Sequence, residues 1–237
     1  MTATQTQAQA QVAIVTGASR GLGLALTRGL AGAGWQVVVD GRDATTLAAA
    51  VGDITGVTAV PGDVRDPAHQ AELVRAAGGL GSLHLLVNSA GILGPSPQPS
   101  VADYPADVLR EVVEANLVAP WTLTQRVLPA LRANAGAVVN VTSDAAVEPY
   151  EGWGGYGATK AALEQASAIL AAEEPDVRVW WVDPGDLRTR MHQEAFPDED
   201  ISDRPLPGTV VPAFVRLVTE RPASGRYRAS DLLAVSA

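Results

Sequence analysis

Tyr156 and Lys160 stand four residues apart in GGYGATKAALEQ, residues 154–165. On a helix such positions share one face, with Cβ atoms roughly 5–6 Å apart, so a phenol would lie beside an ammonium. Tyrosine ordinarily titrates near pH 10, too high for a base at neutral pH, and a neighbouring cation favours the phenolate. Lowering that pKa by about three units takes roughly 4 kcal/mol of differential stabilisation. A phenol tuned in this way can give a proton to a carbonyl as a hydride arrives, or take one from an alcohol. Ser143 closes the apolar run before this helix. A strand end and the following helix start meet at one edge of a sheet, so its hydroxyl can reach the same oxygen. Asn116 lies within a long helical stretch, four residues before Pro120. Proline has no N–H and its ring clashes with the i−4 carbonyl, so a kink that frees the Asn116 carbonyl is expected. Taken alone, the Tyr–Lys pair fits an ordinary surface pair better, and it is Ser143 with the glycine loop that reverses this; the kink fits one without a role equally.

A second motif gives these residues a context. TGASRGLG (16–23) follows the first β-branched run. There Gly17 permits a tight turn, Gly21 a close backbone approach to a pyrophosphate, and Gly23 close packing of helix on sheet. The helix N-terminus offers free N–H groups and the positive end of its dipole to phosphate. The spacing is G-x-x-x-G-x-G, and no G-K-[S/T] follows, so this is not a triphosphate loop. A glycine-rich turn without a ligand is the alternative. The second strand ends VVVDGRD (37–43). In a dinucleotide site, an acid at that end binds the ribose 2′-OH of NAD, and an arginine accommodates the 2′-phosphate of NADP. Asp40 and Arg42 supply both signs, and the choice depends on which side chain faces the ribose.

The elements that must position these residues alternate. Strands are expected at 11–17, 35–41, within GVTAVPGDV (56–64), at 82–91, 136–143 and 176–185. Helices are expected at 21–34, in DATTLAAAVG (43–52), after Asp66 as cap with Pro67 at its first position, over about 105–133, and through YGATK. The strands are near-continuous apolar runs, so both faces are covered. That pattern gives an α/β fold, a single-domain doubly wound parallel sheet over residues 11–237. Residues 1–10 are polar and low in complexity and are expected to be disordered. Residues 186–208 break the rhythm with prolines and acids, and leave the carboxyl end of a strand, where a lid over a ligand would sit.

Composition narrows the function classes. The chain has 237 residues, no cysteine, and 26 acidic against 17 basic side chains, for a formal net charge of −9. Disulfides, thiolate metal sites and a cysteine nucleophile are excluded. An acidic chain without a basic run is a poor partner for nucleic acid or an anionic membrane. His69, His84 and His192 show no ligand spacing, and no metal is expected. No apolar run approaches the ~18–20 residues of a membrane span, and the N-terminus lacks the features of a signal peptide, so a cytoplasmic location is expected. Asn140 begins an N-V-T acceptor pattern, but lies in an apparent buried strand.

Together, the loop, GDV with Asp63, NSAG (88–91), the set Asn116, Ser143, Tyr156 and Lys160, and PGDLRT (184–189) resemble the short-chain dehydrogenase/reductase family. The resemblance runs from about Val12 to Gly185. It implies that Tyr156 is the general acid/base, that Ser143 orients the substrate oxygen, and that Lys160 binds the nicotinamide ribose and lowers the tyrosine pKa. It implies that Asn116 holds a water through its backbone carbonyl. The cofactor contacts it implies are Gly17, Ser19, Arg20, Gly21, Leu22 and Gly23 from the loop, and Arg42, Asp63 and Val64 from the second and third strand ends. Asn88, Ala90 and Gly91, then Pro184, Gly185, Leu187 and Thr189, complete them beside Tyr156 and Lys160. Arg20, and Gly41 where NAD-preferring members carry an aspartate, favour NADP, with NAD as the alternative. Tyr150, Trp153, Met191 and Phe196 flank this site and are candidate walls of a substrate pocket. Ser89 replaces the second asparagine of the family's Asn-Asn-Ala-Gly. The C-terminus keeps a short strand near GRYRA but lacks the family's usual tail, so a homo-oligomer is expected as dimer or tetramer. The activity implied is NADPH-dependent ketone reduction. The alternatives are a dinucleotide-binding scaffold and an epimerase that works through a transient ketone.

Overall fold

The computed structural model describes residues 10–234. Seven strands form one parallel sheet in the order β3-β2-β1-β4-β5-β6-β7. They are β1 (Gln11–Val15), β2 (Gln36–Gly41), β3 (Val57–Pro61), β4 (Ser82–Asn88), β5 (Ala137–Val141), β6 (Arg178–Asp183) and β7 (Gly225–Arg228). The helices are α1 (Gly21–Gly32), α2 (Ala44–Val51), α3 (Pro67–Leu80), α4 (Ala106–Val113), α5 (Ala119–Ala133) and α6 (Gly154–Glu173). After β6 come α7 (Arg190–Ala195), α8 (Val211–Glu220) and α9 (Ala229–Ala234). Of the segment expected to be disordered, residues 1–9 lie outside the described residues, and the Ala10 carbonyl accepts a hydrogen bond from the Ser82 N–H.

The two sides of each strand feed two separate cores. Ala13 and Val15 face Leu26 and Leu30 of α1, Leu47 of α2 and Leu217 of α8. Val12 and Ile14 face Leu73 of α3 and Leu123, Val127 and Leu131 of α5. Because both strand faces are buried, the runs read as continuously apolar. The strand order reverses between β1 and β4, so the carboxyl ends of those strands open onto a crevice. Asp66 caps α3 by accepting from the Ala68 N–H, with Pro67 in the first turn. Among the described residues, no helix is long and apolar enough to cross a membrane.

The long helix expected over 105–133 is divided. A π-helical turn, Glu114–Val118, joins α4 to α5, and the Ala119 N–H reaches back to the Glu114 carbonyl. Pro120 explains this difference from a simple kink, because widening the turn moves the Asn116 carbonyl away from the proline ring. The expected lid also gains structure. It holds α7, and the Arg188 N–H donates to the Pro205 carbonyl while Ser96 Oγ donates to the Glu194 carbonyl.

Candidate active site

A cleft of about 1400 Å³ runs along the carboxyl ends of the strands. One end is built by the glycine loop. Gly17 has φ +71, and a Cβ there would stand 2.8 Å from the Ala90 Cα, so the turn after β1 and the segment after β4 touch backbone to backbone. Thr16 secures this meeting: its hydroxyl oxygen accepts from the Ser89 and Ala90 N–H groups, each at 3.0 Å. Spacing gave no hint of this role for Thr16. At the start of α1, Arg20 makes no side-chain cap, so the first N–H groups of the helix face the cleft unspent. Ser19, Arg20, Gly21, Leu22, Gly23, Arg42 and Val64 line this end, and both arginines are exposed. Asp63 lines it as well, with its carboxylate held by Arg65 at 2.6 Å and its pKa lowered, chiefly by that hydrogen bond.

Asp40 lines this end too, but its carboxylate is engaged within the protein. It is 2% exposed. One of its oxygens accepts from the Gly17 N–H at 2.6 Å, and the other lies 3.3 Å from His69 Nε2. Asp40 therefore braces the loop from beneath. Asn88, expected among the cofactor contacts, is also absent from the cleft wall. It sits on the buried side of β4, where its amide donates to Asn140 Oδ1 at 2.7 Å and to Thr124 Oγ1 at 3.3 Å. A side chain pointing into the sheet cannot reach the crevice above it. Asn140, buried at 4% exposure, is occupied by the same network.

At the other end, Ser143, Tyr156 and Lys160 line the same stretch of wall, with Ala90, Gly91, Pro184, Gly185, Leu187 and Thr189 around them. Lys160 Nζ lies 5.5 Å from the centre of the Tyr156 ring and donates to the Val141 carbonyl at 2.9 Å. Asn116 is buried against the base of α6. Its amide donates to the Ile92 carbonyl and to Thr159 Oγ1, and its oxygen accepts from the Ile92 N–H. Thr159 in turn donates to the Tyr156 carbonyl. The side chain of Asn116 thus ties the π-helical turn, the segment after β4 and the helix carrying Tyr156 into one unit.

The electrostatics correct one expectation. Burial, followed by the negative charges of Asp144 and Asp183, pushes the Tyr156 phenol above its ordinary range. Burial also lowers Lys160 to about 8. The ammonium is turned toward the Val141 carbonyl, and within this chain it does not offset desolvation of the phenol. The protein's own groups therefore hold Tyr156 as a neutral proton donor. Sequence spacing could not show this, because Asp183 comes from a different strand and burial depends on packing.

Of the four candidate pocket walls, Trp153 and Met191 line the cleft and pack on Tyr156 with Leu93 and Ala145. Tyr150 and Phe196 do not line it. Tyr150 is exposed and turns its hydroxyl to Asp144 Oδ2 at 3.0 Å. Phe196 stands behind the wall, its ring centre 5.9 Å from Trp153 and 5.0 Å from His192. The sequence reading also missed Asp144 beside Ser143 and Arg226 on β7. Arg226 bridges Glu164 and Asp183 and donates to the Ser143 carbonyl.

The family model described as short chain dehydrogenase matches residues 11–200. The chain is 30% identical to serine 3-dehydrogenase of Rhizobium radiobacter, over 94% of this chain and 93% of that protein. A solved short chain dehydrogenase of Shigella flexneri 2a, complexed with NADP, matches with TM-score 0.87 and 27% identity, covering 96% of this chain and all of that one. A 3-ketoacyl-(acyl-carrier-protein) reductase of Brucella melitensis, complexed with NADH, matches with TM-score 0.83 and 26% identity, over 92% of this chain and 96% of that one. The chain belongs to the short-chain dehydrogenase/reductase family and is an NAD(P)-dependent oxidoreductase.

Proposed function

We propose that the protein is an NADPH-dependent carbonyl reductase that converts a small ketone to a secondary alcohol. The observation that carries this reading is Tyr156 lying in one wall of the cleft with Ser143 and Lys160 at the carboxyl edge of the sheet. A phenol in that position can donate its proton to a carbonyl oxygen as negative charge develops there. Ser143 would give the same oxygen a hydrogen bond, and Lys160 would bind ribose hydroxyls. Asn116 would hold a water at its backbone carbonyl, to which Pro120 offers no N–H. When bound, the dinucleotide supplies the hydride that reaches the carbonyl carbon. In the reverse direction Tyr156 would first have to lose its proton, so alcohol oxidation should need alkaline conditions.

The residues present suit NADP better than NAD. Both oxygens of Asp40 are committed to Gly17 and His69, and among the basic side chains along the cleft Arg20 and Arg42 are the exposed ones we assign to a 2′-phosphate. Exposed Trp121 on α5 and Ile169 on α6 support a homodimer through those helices. A cytoplasmic location is part of the same proposal. The reading is tested by titrating the purified protein in parallel with NADPH and NADH, following fluorescence, and then assaying reduction of simple ketones. NADPH binding at least tenfold tighter than NADH, with turnover, is expected. Binding of neither dinucleotide would remove the reading.

A further inference from the structure

Asp144 follows the catalytic serine and lines the same wall of the cleft. Ser143 Oγ donates to Asp144 Oδ1 at 2.9 Å, so the hydroxyl that must reach a substrate oxygen rests on a carboxylate. The Ala145 N–H at 2.8 Å and the Tyr150 hydroxyl at 3.0 Å hold that carboxylate in place. All three donors are uncharged, so they fix its position without cancelling its charge. The other ionisable groups along this wall are largely engaged elsewhere. Asp183 at the end of β6 faces Arg226 at 3.4 Å, and Glu194 on α7 pairs with Arg190 at 2.6 Å. Lys160 on α6 points at the Val141 carbonyl, and Arg188 donates to the Ser202 carbonyl. Asp186 has His192 at 3.8 Å and adds a second negative charge beyond Gly185.

We propose that Asp144 selects the substrate by charge, and that the site takes carbonyl compounds bearing an ammonium next to the carbonyl, accepts neutral ones, and refuses those with a carboxylate there. This deepens the carbonyl-reductase reading and rests on it. A substrate ammonium would engage the carboxylate and free the Ser143 hydroxyl to turn to the carbonyl oxygen. A substrate carboxylate would face a second anion, and like charges set against each other are disfavoured. Asp144 is a positioning and specificity residue here; the transferred proton stays with Tyr156.

The test is reduction by the full chain with NADPH, using two pairs of ketones that differ in charge. The pairs are methyl 3-oxobutanoate against 3-oxobutanoate, and 1-amino-2-propanone against its N-acetyl derivative. In the natural protein kcat/KM should favour the ester over its acid by about a hundredfold and the amine over its amide by about tenfold. In Asp144→Asn both ratios should fall to within about threefold of unity, whatever the loss in absolute rate. In Tyr150→Phe, which keeps the charge and removes one holder, both ratios should persist. Equal use of ester and acid by the natural protein would overturn the proposal, and so would unchanged ratios in Asp144→Asn. If that variant does not fold, the natural protein's two ratios decide alone. Failure to reduce any of the four ketones while NADPH binds would instead remove the carbonyl-reductase reading, and the charge selector with it.

Discussion

Tyr156 and Lys160 are both buried, at 8% and 5% exposure, and each is pushed toward its neutral form. For Lys160, the folded pKa of about 8 lies below the ordinary 10.5, so the unfolded chain binds more protons between those values and stability rises with pH across them. For Tyr156 the folded pKa is raised, so above about pH 10 the folded state keeps the proton longer and stability falls. Denaturant unfolding without dinucleotide should therefore show the natural protein gaining on the order of 2 kcal/mol relative to Lys160→Met between pH 8 and 10. A pH-independent difference between the two would contradict a desolvated ammonium. Tyr156→Phe should lower kcat by about a thousandfold or more while NADPH affinity stays within a few-fold. Turnover near the natural rate in that variant would show that another group carries the proton. Arg42→Ala should weaken NADPH by about tenfold and leave NADH nearly unchanged, because only one of the two carries a phosphate for the guanidinium. Equal losses in parallel titrations would reject that assignment.

At the scale of elements, the site depends on where the turn after β1 meets its neighbours. Gly17 has positive φ and lies against the Ala90 backbone, and its N–H is held by Asp40. Gly17→Ala should reduce binding of either dinucleotide by at least tenfold and lower the unfolding free energy by roughly 1–3 kcal/mol, as read by titration and thermal melting. A variant with natural affinity would show that the close approach to Ala90 has no part in binding. The π-helical turn before Pro120 belongs to this scale too. It turns the Asn116 side chain onto Ile92 and Thr159, so that α6 and the segment after β4 are set relative to each other.

At the scale of the whole molecule, large apolar side chains are exposed on several segments, among them α5 and α6, the helices that flank the site. Trp121 is 50% exposed and Ile169 is 45% exposed. The proposed homodimer would cover both side chains, and Trp121 would be its aromatic anchor. Trp121→Asp is expected to convert a dimer to monomer in light scattering, with little effect on the melting of the monomer fold. An unchanged mass would place any interface elsewhere. The strand order adds a second consequence. The crevice is assembled from strand ends far apart in sequence, so the ends of β1, β4, β5 and β6 must all be in register before a pocket exists.

The sequence by itself determined the alternation of strands and helices, the glycine loop at the first strand end, the cap at Asp66, and the three residues Ser143, Tyr156 and Lys160. Those features are local, or repeat with a fixed period, and a period or a turn leaves its mark in residue types. The direction of individual side chains was decided only by the tertiary structure. Asp40 and Arg42 are two residues apart at a strand end, yet Asp40 is buried with its oxygens on Gly17 and His69, while Arg42 is exposed at the cleft. Asn88 turned into the sheet toward Asn140, and Tyr150 and Phe196 turned away from the pocket to Asp144 and to His192. The phenol of Tyr156 was raised where spacing argued for lowering. Desolvation and the charge of Asp183 come from packing between distant segments, and no spacing within one helix records either of them.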